Sequence, residues 1–239
     1  YYYHDLAYVE LQPDLFDYLF PVCLMDWHRS LMCNEPCSRG DSEFHYGLHR
    51  GNILEKMLSL EQRNATYEFF HDSFSMRLDA ERGFDDSGRK LLPFHWIARF
   101  NSLGIVIPRI DLLWGSLWSL DTPGRAVAAL QYCSGLMYFE GENPLFRTCG
   151  PMIWMNDSWK LDDTGWMDCN LEFLRETLTI EFVNDAVVRA VARLKQEPEW
   201  DRVRQIQEDL PDYQEVIALR VTELPMLLSR PANDEGWSV

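Results

Sequence analysis

The segment that most constrains this fold is the apolar run after Thr122 and Pro123. From Ala126 to Tyr138, apolar residues occupy nearly every side of a helix. Proline suits the first helical turn because the N–H that it lacks has no partner there, and Thr122 supplies a capping side chain before it. A helix that is apolar all round is buried on every side. We therefore expect a central helix with other helices packed around it.

Further prolines stand where other helical patterns begin, and no alternation of strand and helix patterns is present. Glycine and proline interrupt regular structure at 34–40, and a polar loop is expected at 81–92. The sequence predicts an all-α fold with a frayed tail at 231–239. The prolines at the expected starts are Pro13, Pro93, Pro108, Pro123, Pro198 and Pro211. The other predicted helices span 13–32 (bent near Pro21), 42–78, 171–178, 180–195, 199–208 and 212–228.

The length of 239 residues is enough to bury a large core without a disulfide or a metal. We predict a single compact domain over 1–239, in which helical flanks at 1–90 and 171–239 surround an apolar central core at 91–170. The formal net charge is −16, yet residues 91–150 carry four basic and four acidic side chains. The acidity therefore belongs to the flanks, as expected if the middle of the chain forms the buried layer.

The strong negative charge argues against nucleic-acid binding, which needs lysine and arginine to neutralise phosphates. It also repels anionic membranes. The densest basic stretch alternates with Glu197, Glu199 and Asp201, as in a solvated helix face. Its members are Arg189, Arg193, Lys195, Arg202 and Arg204. We expect neither a nucleic-acid partner nor a membrane partner.

The most apolar run, 103–120, is interrupted by Pro108, Arg109 and Asp111, so it predicts a buried helix and not a membrane span. The first residues lack the basic and apolar regions of a signal peptide. The six cysteines form no dense disulfide framework, which fits reduced thiols in the cytoplasm. The chain begins with Tyr1, so an upstream targeting signal stays open.

A cysteine pair and a histidine pair form the sharpest candidate for a metal site: Cys33 and Cys37, followed by His45 and His49. Histidines four apart share one face of a helix, and thiolates from the preceding turn could complete a tetrahedral zinc site. The link between the pairs is shorter than in familiar zinc fingers. The alternative interpretation is two thiols in a turn that ends a helix and two histidines on a partly buried face. Apart from zinc, we expect no cofactor.

The segment near 140–170 is rich in glycine, proline and tryptophan and is predicted to be irregular. Exposed tryptophans among polar residues are typical of binding hot spots. The alternative is that they fold inward and attach the loop to the core. The candidate binding residues are Trp154, Trp159, Trp166, Asp162 and Asp163.

No complete catalytic motif is present in the sequence. It has no nucleophile elbow and no phosphate-binding loop. Consecutive residues such as His71, Asp72 and Ser73 diverge by about 100° on a helix, so they are not expected to form a relay. We therefore favour a non-enzymatic acidic module that binds a basic protein, for example an inhibitor or immunity-type partner. A zinc-dependent hydrolase and an oligomeric scaffold remain the alternatives.

Overall fold

The computed structural model describes residues 10–33, 44, 47–48, 52–84, 92–102, 110–138, 143–145 and 167–229. Throughout these ranges the regular structure is helical and no strand occurs. The predicted all-α fold class is confirmed. The helices are α1 Pro13–Cys33, α2 Ile53–Met57, α3 Leu60–Asp79, α4 Pro93–Ser102, α5 Ile110–Trp118, α6 Pro123–Tyr138, α7 Asp168–Thr177, α8 Ile180–Leu194, α9 Trp200–Asp209 and α10 Gln214–Leu228, with a 3-10 turn at Leu210–Tyr213.

The centre of the fold is α6, as its apolar circumference predicts. Every residue from Ala126 to Met137 is buried, including the polar Gln131 and Ser134. The helix begins at Pro123, and Thr122 accepts a hydrogen bond from the backbone N–H of Arg125. Burial on all sides needs neighbours on all sides. These neighbours are α3, α4, α5, α8, α9 and α10.

Helix α1 lies farther from this centre and packs on α3 and α4 through aromatic rings. The Trp27 ring meets Phe70 edge-on at 4.7 Å and Trp96 edge-on at 6.1 Å between centroids. Phe100 lies 5.8 Å from both Trp27 and Phe70. Such tilted and edge-to-face contacts add to the gain from burying the rings themselves. One side of α1 is therefore anchored in the core.

The long helix predicted over 42–78 is wrong, because the chain breaks twice within it. Asn52 adopts a left-handed backbone conformation with φ of 48°, which asparagine tolerates better than most residues. After α2 ends at Met57, Ser59 starts α3 with a reciprocal capping box that involves Gln62. These local hydrogen bonds outweigh the helical periodicity that continues across the break.

Several predicted helix starts also change in the structure. The helix expected within the apolar run 103–120 begins, in its described part, at Ile110. Pro13, Pro93 and Pro123 do open helices, as predicted, whereas α9 begins two residues after Pro198. Pro211 lies in the 3-10 turn before α10. Pro108 lies outside the described residues.

The helices share one continuous hydrophobic core that runs from Phe16 in α1 to Leu228 in α10. The predicted flanks and the domain boundaries stay predictions. None of the described helices is long and apolar enough to cross a bilayer.

Candidate functional site

Most residues of the two predicted sites lie outside the described part of the chain. This applies to Trp154, Trp159, Trp166, Asp162 and Asp163, and to Cys37, His45 and His49. Cys33 is described as an exposed free thiol at the last residue of α1. Where side chains are described, no three potential ligands cluster so that they could hold a metal ion. The zinc site and the tryptophan-rich binding segment therefore stay predictions.

Two other tryptophans lie in the apolar run 103–120, which the sequence predicts to form a buried helix. Trp114 and Trp118, four residues apart on α5, are both buried, and their rings lie 5.5 Å apart. Cys133 is buried nearby in α6, and burial raises the pKa of its thiol to about 12. A thiol that stays protonated in this way is a poor nucleophile, so Cys133 belongs to the core.

The most unusual surface that the structure describes is the outer side of α1. Four large apolar side chains there face away from the core, with exposed fractions of 47–74%. We call this set the α1 outer stripe. It consists of Leu15, Tyr18, Val22 and Met25.

The spacing of the stripe explains why these side chains stay out of the core. At about 100° per residue, the four positions fall within an arc of about 80° on the helix. The side chains that α1 buries lie on the opposite side and occupy another arc of about 80°. They are Phe16, Phe20, Cys23, Trp27 and Leu31. Helix α1 thus has two apolar faces, and the described fold covers only one of them.

Acidic residues border the stripe on both sides. By helical position, Asp14 lies just outside one edge and Asp26 just outside the other, whereas Asp17 lies on the same side as Asp14 but about 80° from the nearest stripe residue; all three are exposed. Asp14 and Asp17 form no ion pair with any described basic residue. At the C-terminal end of the helix, Arg29 lies 3.8 Å from Asp26. The surface is therefore apolar along its centre and predominantly negative along its edges.

Pro21 removes one backbone hydrogen bond within α1. The proline has no N–H, so the carbonyl of Asp17 lacks the helical hydrogen bond that residue 21 would normally donate. Both Asp17 and Pro21 are exposed.

A second exposed apolar set on α10 is less regular. It consists of Val216, Leu219 and Met226, with the acidic Glu223 between the last two. Beside it, a groove of about 310 Å³ separates α10 from the junction of α7 and α8. The charged residues that line this groove, Arg175 and Glu181, have opposite signs. The groove therefore selects for neither an anion nor a cation.

A serine, a histidine and an aspartate approach one another where α3 meets α5. His71 Nε2 lies 3.0 Å from Ser116 Oγ, and His71 Nδ1 lies 3.4 Å from Asp72 Oδ1. In the run His71, Asp72 and Ser73, the serine contacts a different residue, His28, at 2.9 Å, so the three consecutive residues form no relay.

This arrangement lacks what acyl transfer requires. Ser116 Oγ donates its proton to the carbonyl of Leu112, so the proton is not directed toward His71. The serine lies within α5, where backbone N–H groups are used in the helix and cannot form an oxyanion hole. Asp72 is 77% exposed and so holds the imidazole only weakly. We interpret the contact as a polar link between α3 and α5.

A buried polar cluster joins the end of α3 to α6 and to the turn before α9. Arg77 and Glu81 form an ion pair at 2.6 Å with about 5% of each side chain exposed. Gln131 donates to both Glu81 and the carbonyl of Gly83, and Glu199 accepts from the Gly83 N–H. Buried pairs of this kind hold a particular arrangement more than they add stability. The cluster positions the chain after α3.

Three arginines of the predicted basic stretch make separate contacts with neighbouring parts of the chain. Arg189 donates to the carbonyls of Trp118 and Ser119, and Arg193 donates to that of Asp121. Cations near the end of a helix favour its exposed carbonyls, so Arg189 caps α5, while Arg193 contacts the connection between α5 and α6. Arg202 lies over the ring of Tyr138, 4.9 Å from its centroid.

No family model matches this chain, and comparisons with curated proteins and with solved structures find no similar protein. Function is therefore inferred from the chemistry of the described surfaces. Sequence reasoning missed the α1 outer stripe, although its 3-4-3 spacing is visible from Leu15 to Met25. That pattern alone does not indicate which of the two apolar faces the core covers.

Proposed function

We propose that this protein is a binding module that recognises a basic protein through the α1 outer stripe and its acidic edges. An inhibitor or immunity-type partner of a basic protein is one form that this function takes. The observation that carries the proposal is the exposure of four large apolar side chains in one narrow arc. Exposed apolar patches with polar edges are typical of protein interaction sites.

The energies suit a specific but reversible complex. Full burial of one such side chain gains about 1.5–3 kcal/mol, and between about one quarter (Tyr18) and one half (Leu15) of each side chain is already covered. Each therefore has about 1 kcal/mol left to gain on binding. The acidic edges, within a chain of net charge −16, attract a basic partner and speed encounter more than they slow dissociation.

Pairing of the stripe with a second copy, as in the oligomeric scaffold, is less favourable. Association through this face would bring Asp14, Asp17 and Asp26 of both copies together, against one Arg29 from each. Like charges at an interface disfavour a pairing. The charge pattern thus supports a partner of opposite sign.

Site-specific cross-linking tests the proposal. We would place benzoylphenylalanine at position 22 on the stripe, or at position 188 on α8, where Val188 is also exposed. After irradiation in an extract of the source organism, we expect a basic protein joined to position 22 and absent from position 188. Cross-linking in the extract serves to identify the partner. Binding measurements with that partner after purification then test the proposal.

With the purified partner, Val22→Asp is expected to weaken binding at least tenfold, because a charge would enter an apolar contact. Val188→Asp, the matched control, is expected to change affinity less than about twofold. An adduct formed only with a second copy would overturn the proposal. Equal affinity of the Val22→Asp variant and the wild type would also overturn it.

A further inference from the structure

We infer that the partner presents a basic amphipathic α-helix that lies lengthwise along α1, an inference that rests on the proposed function. The spacing of the stripe residues along α1 supports this inference. The stripe occupies positions 15, 18, 22 and 25, and the alternation of three and four continues to Arg29 and Met32. Alternate steps of three and four are the heptad pattern by which one helix packs along another.

The dimensions of the face also favour a helix. From residue 15 to residue 32, α1 extends about 25 Å at 1.5 Å per residue. The ridges of one helix fit the grooves between such side chains on another. A strand repeats its facing side chains about every 6.6 Å, out of step with helical turns of 5.4 Å. A helix of about five turns would match the face along its whole length.

The charges along α1 define the flanks of this partner helix. Asp14 lies beside one edge near the N-terminal end, with Asp17 farther round on the same side of the helix, and Asp26 lies beside the other edge. Lysine or arginine is therefore expected on both flanks of the partner's apolar seam. Arg29 makes the C-terminal end of the stripe less negative, which gives the partner a preferred direction.

Synthetic peptides test this inference on the full-length chain by fluorescence anisotropy. The first peptide has leucine at heptad positions a and d and lysine at the flanking positions. The second replaces each lysine by glutamate. The third peptide has the same amino-acid composition as the first, in a scrambled order that contains no heptad repeat. We expect the first to bind at least tenfold more tightly than either of the others.

Variants of the protein connect this affinity to the stripe. We expect Val22→Asp to weaken binding of the first peptide about tenfold, and Val188→Asp to leave it within about twofold. Asp14→Asn with Asp17→Asn should weaken it several-fold, mainly through slower association. Circular dichroism confirms that each variant is folded before it is compared.

Equal binding of the first and third peptides would overturn the inference, because it would show only general attraction to an acidic protein. Equal effects of Val22→Asp and Val188→Asp would overturn it too. If the cross-linked partner binds at position 22 and the first peptide does not compete with it, the helix inference fails while the proposed function stands. If neither partner nor peptide binds the stripe, both fail.

Discussion

Asp79 links three parts of the chain through a single carboxylate at the end of α3. It accepts hydrogen bonds from Thr122 Oγ1 at 2.8 Å and from Arg125 Nε at 2.7 Å. Arg125 also donates to Ser119 Oγ at 3.0 Å. Burial by itself would raise the pKa of Asp79, but the hydrogen bonds from Arg125 and Thr122 and the attraction of Arg125 together lower it.

Asp79→Asn should therefore reduce stability in a manner that depends on pH. A carboxyl whose folded pKa is depressed stabilises the fold above its unfolded pKa of about 3.9, and that contribution is lost as the pH falls through the folded pKa. At pH 7 we expect a loss of about 1 kcal/mol in the free energy of unfolding. The loss should disappear in strong acid. Urea denaturation of both proteins across this range measures it.

Asp121→Asn is the matched control, because Asp121 lies 3.9 Å from the same arginine but is 72% exposed. Its effect should be smaller and should depend little on pH. A loss for Asp79→Asn that stays constant from neutral to acid would contradict the role assigned to its charge.

Among the helices, the close contact between the start of α6 and the end of α3 depends on a missing side chain. A Cβ at Gly124 would overlap the carbonyl groups of Leu78 and Asp79, and the Leu78 oxygen would lie only 2.5 Å away. Backbone atoms cannot rotate out of the way as a side chain can. The central helix is thus held against α3 by an exact fit of backbone to backbone.

Two glycine substitutions should consequently have opposite effects. Gly124→Ala forces α6 away from α3 and should cost about 1–3 kcal/mol. Gly115→Ala, within α5, adds a methyl group where nothing lies within 4 Å. It should stabilise the protein by about 0.5–1 kcal/mol because alanine favours the helix. Thermal and urea unfolding of both variants measure the changes, and a stabilising Gly124→Ala would contradict the close approach.

The helix boundaries show what local patterns can and cannot predict. Proline correctly marks the starts of α1, α4 and α6, because its fixed φ and missing N–H act within a single turn. The break before α3 was also visible locally, since Ser59 and Gln62 have the spacing of a capping box. The prediction of one helix over 42–78 failed because the apolar periodicity continues on both sides of the break. Periodicity over many residues does not reveal that a single turn between them is not helical.

At the scale of the whole molecule, the net charge of −16 and the α1 outer stripe act in opposite directions on self-association. The apolar side chains favour contact between copies, and the acidic edges oppose it. Salt screens the repulsion, since the Debye length falls from about 10 Å at 0.1 M to 3 Å at 1 M. Apolar contacts do not weaken in the same way.

We therefore expect a monomer at low salt and a shift toward a dimer at about 1 M salt. Sedimentation velocity at both salt concentrations measures the shift, which Val22→Asp should abolish and Val188→Asp should leave intact. Binding of the basic heptad peptide should respond in the opposite direction, because screening removes its attraction. A dimer that forms at low salt and dissociates at high salt would contradict this account and favour the oligomeric scaffold.

The sequence by itself determined the class of fold and its centre. A helix that is apolar on every side is stable only in the interior of the fold. Burial of Ala126 to Met137 therefore follows from composition and helical geometry alone. Helix α1 differs because both of its faces are apolar, and either could have entered the core. The tertiary structure decided between them: the rings of Phe70, Trp96 and Phe100 pack around Trp27. That packing leaves Leu15, Tyr18, Val22 and Met25 exposed.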